Sequence, residues 1–368
     1  MKIAIFHNFM DNIGGAEIVA LSLARELKAD LYTTNIDEEK IGKMGYHDVL
    51  PRIYSIGRIP KQAPFRQQLA FCRFRHLNLS GSYDFFIIAG DWAMSGAVNN
   101  HPNLWYAHSP LNELWEFKDF IKKELLNFWK KPIYALWVAF NQKLSLKYSF
   151  YVDNWVANSL NTKKRIKKYY NQEATLIYPP VDTKKYISDI SQGYWLSVNR
   201  LAAHKRPEIQ LDAFKLLAHE NLIMVASYEK GVAQFENCRK NILENKSDNV
   251  IIKNWVSDSE LKNLYANCSG FITTAKDEDF GLTVVEAMAS GKPVIAPREG
   301  GYIESVIDSQ TGVLIDSING EKIAEAIKKI KNNLELNPLF YKQACLNQAE
   351  KFDTSVFISK IKSMIKYE

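Results

Sequence analysis

Short apolar strand segments alternate with helical segments along both halves of this 368-residue chain, and this alternation constrains the fold more than any other feature. In the first half, the apolar run Ile3–Phe6 leads into Gly14 and Gly15, and apolar residues at helical spacing follow from Ile18 to Leu27. Further strands of this half are predicted at 84–89, 104–107 and 155–157. Strand, glycine turn and helix in this order are typical of an α/β fold with a parallel sheet that helices cover on both faces.

The second half repeats the alternation after a polar break. Tyr178–Asp182 contains two consecutive prolines, and mostly polar residues continue to Gly193, so a domain boundary is predicted here. Strands are then predicted at 194–198, 222–226, 250–252, 270–274 and 293–296, with helices at 207–218 and 282–290. We therefore expect two doubly wound, Rossmann-like domains that face one another, at residues 1–180 and 181–350.

Composition excludes several classes of protein. The net charge of +6 is mild for this length and is not typical of a dedicated nucleic-acid binder. No apolar run approaches the roughly 18 residues that cross a bilayer, and polar residues by position 7 argue against a signal peptide. Four scattered cysteines without metal spacing predict lone buried thiols in a reducing cytoplasm: Cys72, Cys238, Cys268 and Cys345. A cytoplasmic location is therefore expected.

The most informative stretch, 277–293, contains two glutamates separated by seven residues. Glu278 lies in the loop after a predicted strand, and Glu286 lies one turn into the following helix. That helix begins with three residues whose N–H groups lack helical partners: Gly281, Leu282 and Thr283. Such an end binds phosphate, so carboxylates beside it are expected to bind sugar and ribose hydroxyls. The alternative is that both glutamates only complement the helix dipole.

Two further groups of residues follow predicted strands. Arg200 and Lys205 occupy a loop at a carboxyl end, where open α/β sheets bind ligands, and two cations there can neutralise a diphosphate leaving group without a metal. They also fit basic surface residues before a helix. In the first half, Gly14 and Gly15 permit close backbone approach, but a third glycine of a dinucleotide fingerprint is missing. His108 follows a strand and is either structural or part of a site.

Together these motifs resemble the retaining glycosyltransferases of family 4, which have the GT-B fold. The resemblance covers nearly the whole chain, in the family's order: 14–17, 107–110, 157–159, 178–182, Arg200 with Lys205, Glu278 with Glu286, and 300–312. The motifs at 108–110 and 277–281 look most like bacterial and archaeal mannosyltransferases that use a GDP-sugar. The GT-B resemblance also implies that segment 351–368 is a helix that crosses back to the first domain.

The resemblance implies a role for each matching residue. Arg200 and Lys205 would hold the donor diphosphate, Glu286 the ribose, Glu278 the sugar hydroxyls, and His108 would approach the sugar from the opposite domain. The implied catalytic residues are His108, Glu278, Arg200 and Lys205. The implied donor-binding residues are Gly15, Arg200, Lys205, Glu278, Phe280, Gly281, Leu282, Thr283 and Glu286. No metal or other cofactor is expected, and the donor is a GDP-sugar or UDP-sugar. Without an evident nucleophile, a front-face mechanism is favoured, in which the departing phosphate accepts the acceptor's proton.

Departures from the family pattern leave the base open. Asn199 replaces a glycine, 224–228 lacks the usual Gly-x-Gly-Pro turn, and Trp255 replaces a small residue. A GT-B nucleotide-sugar epimerase or hydrolase that cleaves its donor with water would share the fold and the cations, although no dedicated acid/base set is evident. The basic clusters leave a nucleic-acid-binding or scaffold protein as a distant alternative. It lacks interleaved aromatic and basic residues, so no nucleic-acid partner is expected.

Basic and aromatic residues concentrate within 112–148. The apolar residues that can share one side of a helix ended by Pro132 are Phe120, Ile121, Leu125, Phe128 and Trp129, followed by Tyr134, Leu136, Trp137 and Phe140. The flanking cations are Lys122, Lys123, Lys130 and Lys131. This pattern suits an anionic membrane surface, to which the basic residues within 52–75 could add. It favours a lipid-linked glycan acceptor in cell-surface polysaccharide assembly and a peripheral place on the inner face of the membrane. Core aromatics with solvated lysines are the alternative.

Overall fold

The computed structural model describes residues 1–61, 65–111, 113–227 and 233–365. It divides the chain into two compact domains. The first domain comprises Met1–Tyr178 together with Phe357–Glu368, and the second comprises Pro179–Val356. The division after Tyr178 falls within the polar, proline-containing segment, and the return to the first domain falls at Phe357 rather than at 351.

The first domain is built on a parallel sheet of seven strands in the order β3-β2-β1-β4-β5-β6-β7. The strands are β1 (Ile3–Phe6), β2 (Asp30–Thr33), β3 (Ile53–Ser55), β4 (Phe85–Ile88), β5 (Asn103–Ala107), β6 (Asn154–Ala157) and β7 (Thr175–Leu176). The helices are α1 (Gly15–Glu26), α2 (Glu38–Lys43), α3 (Phe65–His76), α4 (Lys118–Phe120), α5 (Lys131–Ser149) and α6 (Leu160–Tyr170). Short 3-10 helices cover His47–Arg52, Trp92–Asn99 and Phe128–Lys130, and Ile121–Leu125 forms a π-helical turn. All residues of β1 and β4 are buried, because helices cover both faces of the sheet.

The second domain contains a parallel sheet of six strands in the order β10-β9-β8-β11-β12-β13. The strands are β8 (Tyr194–Arg200), β9 (Asn221–Ser227), β10 (Val250–Lys253), β11 (Gly270–Ile272), β12 (Val294–Pro297) and β13 (Gly312–Ile315). The helices are α7 (Pro207–Lys215), α8 (Ala233–Asn245), α9 (Asp258–Asn267), α10 (Leu282–Ala289), α11 (Tyr302–Ser305), α12 (Gly320–Leu336) and α13 (Lys342–Glu350), with 3-10 helices at Thr183–Lys185 and Ala203–Lys205. The predicted α/β fold with two Rossmann-like domains is confirmed.

Both sheets have a topological switch point, where the order of the strands reverses. In the first domain it lies between β1 and β4, and in the second between β8 and β11. The carboxyl ends of these strand pairs diverge into different loops and leave a crevice in which open α/β sheets bind ligands. The switch points therefore give the expected place of a site in each domain.

Helix α14 (Thr354–Ile365) ends the described chain. Its apolar side chains from Phe357 to Ile365 are buried in the first domain's core, as the family resemblance implied: Phe357, Ile358, Ile361 and Ile365. The Phe357 ring packs edge to face on Tyr106 of β5, with centroids 5.5 Å apart. The predicted helix extended to Tyr367, which lies outside the described residues.

Because Ile361 is fully buried in this core, Ile361→Ala is expected to destabilise the first domain by about 2–5 kcal/mol. Hydrogen exchange of the β1 and β4 amides measures this loss. Lys360→Ala removes an exposed neighbour on the same helix turn and should leave exchange within about 0.5 kcal/mol of wild type. Unchanged protection of both strands in Ile361→Ala would contradict the packing.

Two predictions need correction. Pro132 does not end a helix; it lies in the first turn of α5, where proline is tolerated because its missing N–H has no helical partner. The residues before it form three short pieces instead of one helix. The four cysteines are free, but Cys72 is exposed and Cys238 only partly buried, so only Cys268 and Cys345 are buried thiols. Among the described residues, no helix is both long enough and apolar enough to span a bilayer.

Candidate active site

At the switch point of the first domain, two histidines hydrogen-bond one backbone carbonyl. His7 directly follows β1 and is buried, and its Nδ1 lies 3.1 Å from the oxygen of Ala89, which follows β4. His108 directly follows β5 and also hydrogen-bonds Ala89. Its Nε2 is enclosed and has no partner among the described residues, so the bond is made by Nδ1. A carbonyl only accepts, so both rings carry a proton on Nδ1.

His108 is therefore a neutral ring. Burial and, next to it, the nearby His7 lower its pKa to about 3, although Glu17 and the Ala89 carbonyl act in the opposite direction. With Nδ1–H bound to Ala89, the lone pair of the neutral ring is on the enclosed Nε2. A lone pair of this kind accepts a hydrogen bond from a hydroxyl group, whereas a phosphate oxygen has no proton to donate. A role of His108 at the sugar stays a prediction.

The glycine turn before α1 leaves space for the carboxylate of Glu17. Its Oε1 lies 4.0 Å from Nε2 of His7. A Cβ on Gly14 would stand 2.7 Å from Oε2 of Glu17, so glycine lets the carboxylate fold over the N-terminus of α1, where the helix dipole favours it. Gly15 begins α1 at the same place. Its role in making room for donor phosphates stays a prediction.

At the switch point of the second domain, the two predicted cations lie at the carboxyl end of β8. Arg200 ends the strand and is exposed, and Lys205 lies in the 3-10 helix that follows. The loop is held to the chain beyond β11, because Oγ1 of Thr274 donates to the Lys205 carbonyl at 2.7 Å. Arg206, in the left-handed region at φ 48°, donates to the Thr274 carbonyl at 2.7 Å. These bonds fix the position from which Lys205 extends.

Lys205 and Glu278 form an ion pair across this switch point. The Lys205 Nζ lies 2.5 Å from Oε2 of Glu278, and both side chains are largely buried. Burial alone would raise the pKa of Glu278, but the charge and hydrogen bond of Lys205, with His204 and Arg200, bring it below its usual value. Glu278 is therefore ionised at neutral pH, and an ionised carboxylate only accepts hydrogen bonds.

Two glycines support the backbone of the Glu278 loop. Gly301 N–H donates to the Glu278 carbonyl at 2.7 Å. A Cβ on Gly300 would stand 2.5 Å from that same oxygen, and one on Gly301 would stand 2.4 Å from Cα of Phe280. Gly300 also has φ +61°, which other residues rarely adopt. The paired glycines let one loop pack directly on the backbone of the other.

The helix that follows the Glu278 loop begins at a glycine with a positive φ angle. Gly281 has φ +89°, and a Cβ there would stand 2.5 Å from Cε1 of the buried Tyr302. The first amides of α10, at Leu282 and Thr283, have no acceptor within the helix. An N-terminus of this kind attracts an anion such as phosphate.

Glu286 lies one turn further along α10. Its Oε2 accepts a hydrogen bond from the Tyr265 hydroxyl at 2.8 Å. Burial raises the pKa of Glu286, and the hydroxyls of Tyr265 and Tyr186 lower it in part. The residue as a whole is partly accessible.

The structure brings the second-domain site residues predicted from the sequence to one edge of the sheet, with one difference. The Phe280 ring is 3% exposed and packs edge to face on Phe352, with centroids 5.2 Å apart. Its ring therefore anchors the loop in the domain core, and only its backbone lies beside the site. Trp255 is half exposed after β10. Of the segment 224–228, the residues up to Ser227 lie in β9, and Tyr228 lies outside the described residues.

Four polar residues at these sites were missed from the sequence: His7, Glu17, Tyr186 and Tyr265. His7 and Glu17 carried a usable signal, since each flanks the first glycine turn at the end of β1. The two tyrosines carried none, because they lie 79 residues apart and meet only in the folded domain. Within the described parts of the chain, no group of three or more His, Cys, Asp or Glu side chains is arranged to hold a metal ion.

Known proteins share this architecture. Residues 181–344 match the family described as glycosyl transferases group 1. Alpha-1,3/1,6-mannosyltransferase ALG2 of Dictyostelium discoideum is 24% identical over 100% of this chain and 98% of the relative. The ALG2 enzyme of Candida glabrata is 24% identical over 93% of this chain and 87% of its own. The crystal structure of Anabaena HepE in complex with UDP and glucose has a TM-score of 0.78 at 17% identity, over 99% of both chains.

The chain is therefore a glycosyltransferase with two Rossmann-like domains of the GT-B type. Its second domain is a glycosyl transferases group 1 domain, and the chain as a whole is similar to family 4, as its motifs indicated.

Proposed function

We propose that this glycosyltransferase moves a hexosyl group, most simply mannosyl, from a nucleotide diphosphate sugar to an acceptor hydroxyl and retains the anomeric configuration. The observation that carries the proposal is the Lys205–Glu278 pair at the switch point of the second domain, beside the N-terminus of α10. A cation, helix amides and an ionised carboxylate at one sheet edge match a diphosphate joined to a sugar. The named mannosyltransferase relatives favour mannose, and a solved structure of the same fold contains UDP.

Catalysis in this proposal stabilises the leaving group. Arg200, Lys205 and the first amides of α10 take up the charge that develops on the diphosphate as the glycosidic C–O bond breaks. Glu278 accepts hydrogen bonds from sugar hydroxyls. An oxygen of the departing phosphate accepts the proton of the acceptor hydroxyl, whose oxygen forms the new bond on the same face of the sugar. No enzyme nucleophile takes part.

Thermal unfolding with a panel of GDP-sugars and UDP-sugars tests the donor. A ligand at a hundred times its dissociation constant stabilises the folded protein by about 2.7 kcal/mol. We expect one base to stabilise the protein clearly more than the other, and a sugar-linked form to do so at least as well as the free diphosphate. The absence of stabilisation by any nucleotide would overturn the proposed donor.

Turnover is expected to persist in excess EDTA, because Arg200, Lys205 and helix amides supply the positive charge that a metal supplies in other transferases. The rate with and without EDTA, after removal of bound metal, measures this directly. Complete loss of turnover that magnesium or manganese restores would show that a cation is required at the diphosphate.

We further propose a lipid-linked glycan acceptor and a peripheral place at an anionic membrane. The support is a surface of the first domain, the α5 surface, defined as Phe128, Trp129, Ile133, Leu136 and Phe140. Trp129 is 82% exposed and Leu136 74%, whereas Tyr134 and Trp137 on the opposite side of α5 pack toward the core. Ile133, Leu136 and Phe140 recur every three or four residues, so they share one helix face.

Lysines surround the α5 surface. Lys122, Lys123 and Lys130 are exposed beside it. Exposed aromatic and aliphatic side chains bordered by lysines match the interface of a bilayer with anionic headgroups. Of the basic residues within 52–75, Arg66 pairs with the buried Asp11, and a contribution of the others to this surface stays a prediction. The predicted contribution of Leu125 rests on a side chain outside the described residues.

The protein is expected to co-sediment with vesicles that contain phosphatidylglycerol, and binding should weaken with salt. Lys122→Glu/Lys123→Glu and Phe128→Ser/Trp129→Ser are each expected to reduce binding at least tenfold, the first through charge and the second through buried apolar area. Lys164→Glu/Lys167→Glu, with the same charge change on exposed residues of α6, is the control.

Binding to neutral vesicles alone, or equal loss in the α6 control, would contradict the assigned surface. Absence of binding at low ionic strength would contradict membrane association and favour an acceptor free in solution.

A further inference from the structure

Two tyrosines from separate segments converge on the carboxylate of Glu286. Tyr265, in the last turn of α9, is fully buried, and its hydroxyl lies 2.8 Å from Oε2. Tyr186 directly follows the 3-10 helix Thr183–Lys185, and its hydroxyl interacts with the same carboxylate. The two rings meet edge to face, with centroids 5.8 Å apart.

The chemistry of these groups fixes the direction of the bonds. An ionised carboxylate only accepts hydrogen bonds, so the Tyr265 hydroxyl donates to Glu286, and the Tyr186 hydroxyl can act on the same carboxylate only as a donor. A carboxylate offers about four acceptor positions. Two acceptor positions of the carboxylate remain when each tyrosine occupies one. The ribose of a nucleoside diphosphate has two free hydroxyls, which is the same number. The glutamate is accessible in part, while Tyr265 behind it is not.

We propose that Tyr186 and Tyr265 are positioning residues that orient the Glu286 carboxylate for the two ribose hydroxyls of the donor nucleotide. The inference rests on the proposed function, which assigns the ribose to Glu286. A carboxylate on a helix side chain otherwise rotates freely. A ligand that fixes such a side chain binds more weakly, because the side chain loses rotamer freedom on binding. Two donors that hold the carboxylate beforehand remove that cost.

The same arrangement controls the charge of Glu286. Burial raises its pKa, and the tyrosine hydroxyls lower it. The charged groups acting on it are Asp258 and Lys262 of α9; the first raises the pKa and the second lowers it. Loss of either tyrosine hydroxyl therefore raises the pKa. Nucleotide affinity depends on the ionised carboxylate. A variant without one of these hydroxyls is therefore expected to lose affinity at a higher pH than wild type when the solution is acidified.

Tyr265→Phe and Tyr186→Phe test the inference, with binding of GDP, UDP and their 2′,3′-dideoxy forms measured by calorimetry across pH. Each variant is expected to weaken the ribonucleotide about tenfold or more, the effect of one hydrogen bond to a charged group, and to leave the dideoxy form almost unchanged. The acidic limb of ribonucleotide affinity should move to higher pH. Tyr194→Phe is the control, since its buried hydroxyl donates instead to the Leu264 carbonyl at 2.9 Å.

The outcomes separate this inference from the proposed function. If wild type prefers the ribonucleotide and both Phe variants keep that preference in full, the tyrosines do not position Glu286. Equal weakening of ribo and dideoxy forms would mean a structural role only and would also overturn the inference. If wild type does not distinguish the two forms, Glu286 does not bind ribose, and the proposed function fails at this site together with the inference. Tyr186→Phe affects a partly exposed side chain, so it remains informative if Tyr265→Phe unfolds.

Discussion

Lys205→Ala is expected to lower turnover about a hundred- to a thousandfold in a protein that remains folded, the usual effect of losing one group that stabilises charge in the transition state. The structure gives a second reason for a large effect. Lys205 also holds Glu278 through a 2.5 Å contact, so its removal leaves a largely buried carboxylate without its neighbouring cation. Steady-state rates with the donor identified by thermal unfolding measure the loss.

The pH dependence distinguishes these two contributions. Lys205 lowers the pKa of Glu278, so its removal raises that pKa. Residual activity of Lys205→Ala should therefore fall at a higher pH than wild-type activity as the solution is acidified. Lys253→Ala breaks a half-exposed pair with Glu260 at 2.6 Å in the same domain and should change neither rate nor profile appreciably. Wild-type turnover in Lys205→Ala would remove the assigned role.

Glu286→Gln is expected to reduce donor affinity or turnover by a similar hundred- to thousandfold. The substitution preserves shape, but the neutral amide cannot accept hydrogen bonds from two tyrosines and two ribose hydroxyls as a carboxylate does. Because burial raises the pKa of Glu286 above its usual value, wild-type affinity should decline on acidification through that higher pKa. In Glu286→Gln this decline should be absent.

Glu321→Gln provides the matched control, since Glu321 is exposed in the first turn of α12. Thermal unfolding without ligand should give the same midpoint for both variants within a few degrees. A Glu286→Gln protein that is equally stable and fully active would show that the ribose is bound elsewhere.

The sequence was most informative where glycines and charges follow strands. Arg200 ends β8, and the segments after β8 and β11 contain Lys205 and Glu278, so the rule for parallel sheets sufficed to group them. Contacts between distant segments were not predictable, since nothing local indicates that Tyr186 and Tyr265 reach one carboxylate. The motif at 277–281 placed Phe280 in the site loop but could not show that its ring faces Phe352 in the core.

The aromatic residues within 112–148 show a related limit. Helical spacing fits a core face and an exposed face equally well. Only the packed structure separates Trp137, which lies toward the core, from Leu136 and Phe140, which lie in solvent. Pro132 was ambiguous for a similar reason, because proline both ends one helix and begins another.

The stereochemistry of the product tests the central claim most directly. The protein is incubated with the α-linked nucleotide sugar that stabilises it and with a lipid-linked glycan, and the anomeric carbon–hydrogen coupling of the new linkage is measured by NMR. Retaining transfer predicts an α-linked product that forms only with acceptor present. A β-linked product would contradict retention, and stoichiometric release of an epimerised free sugar without acceptor would contradict transfer itself.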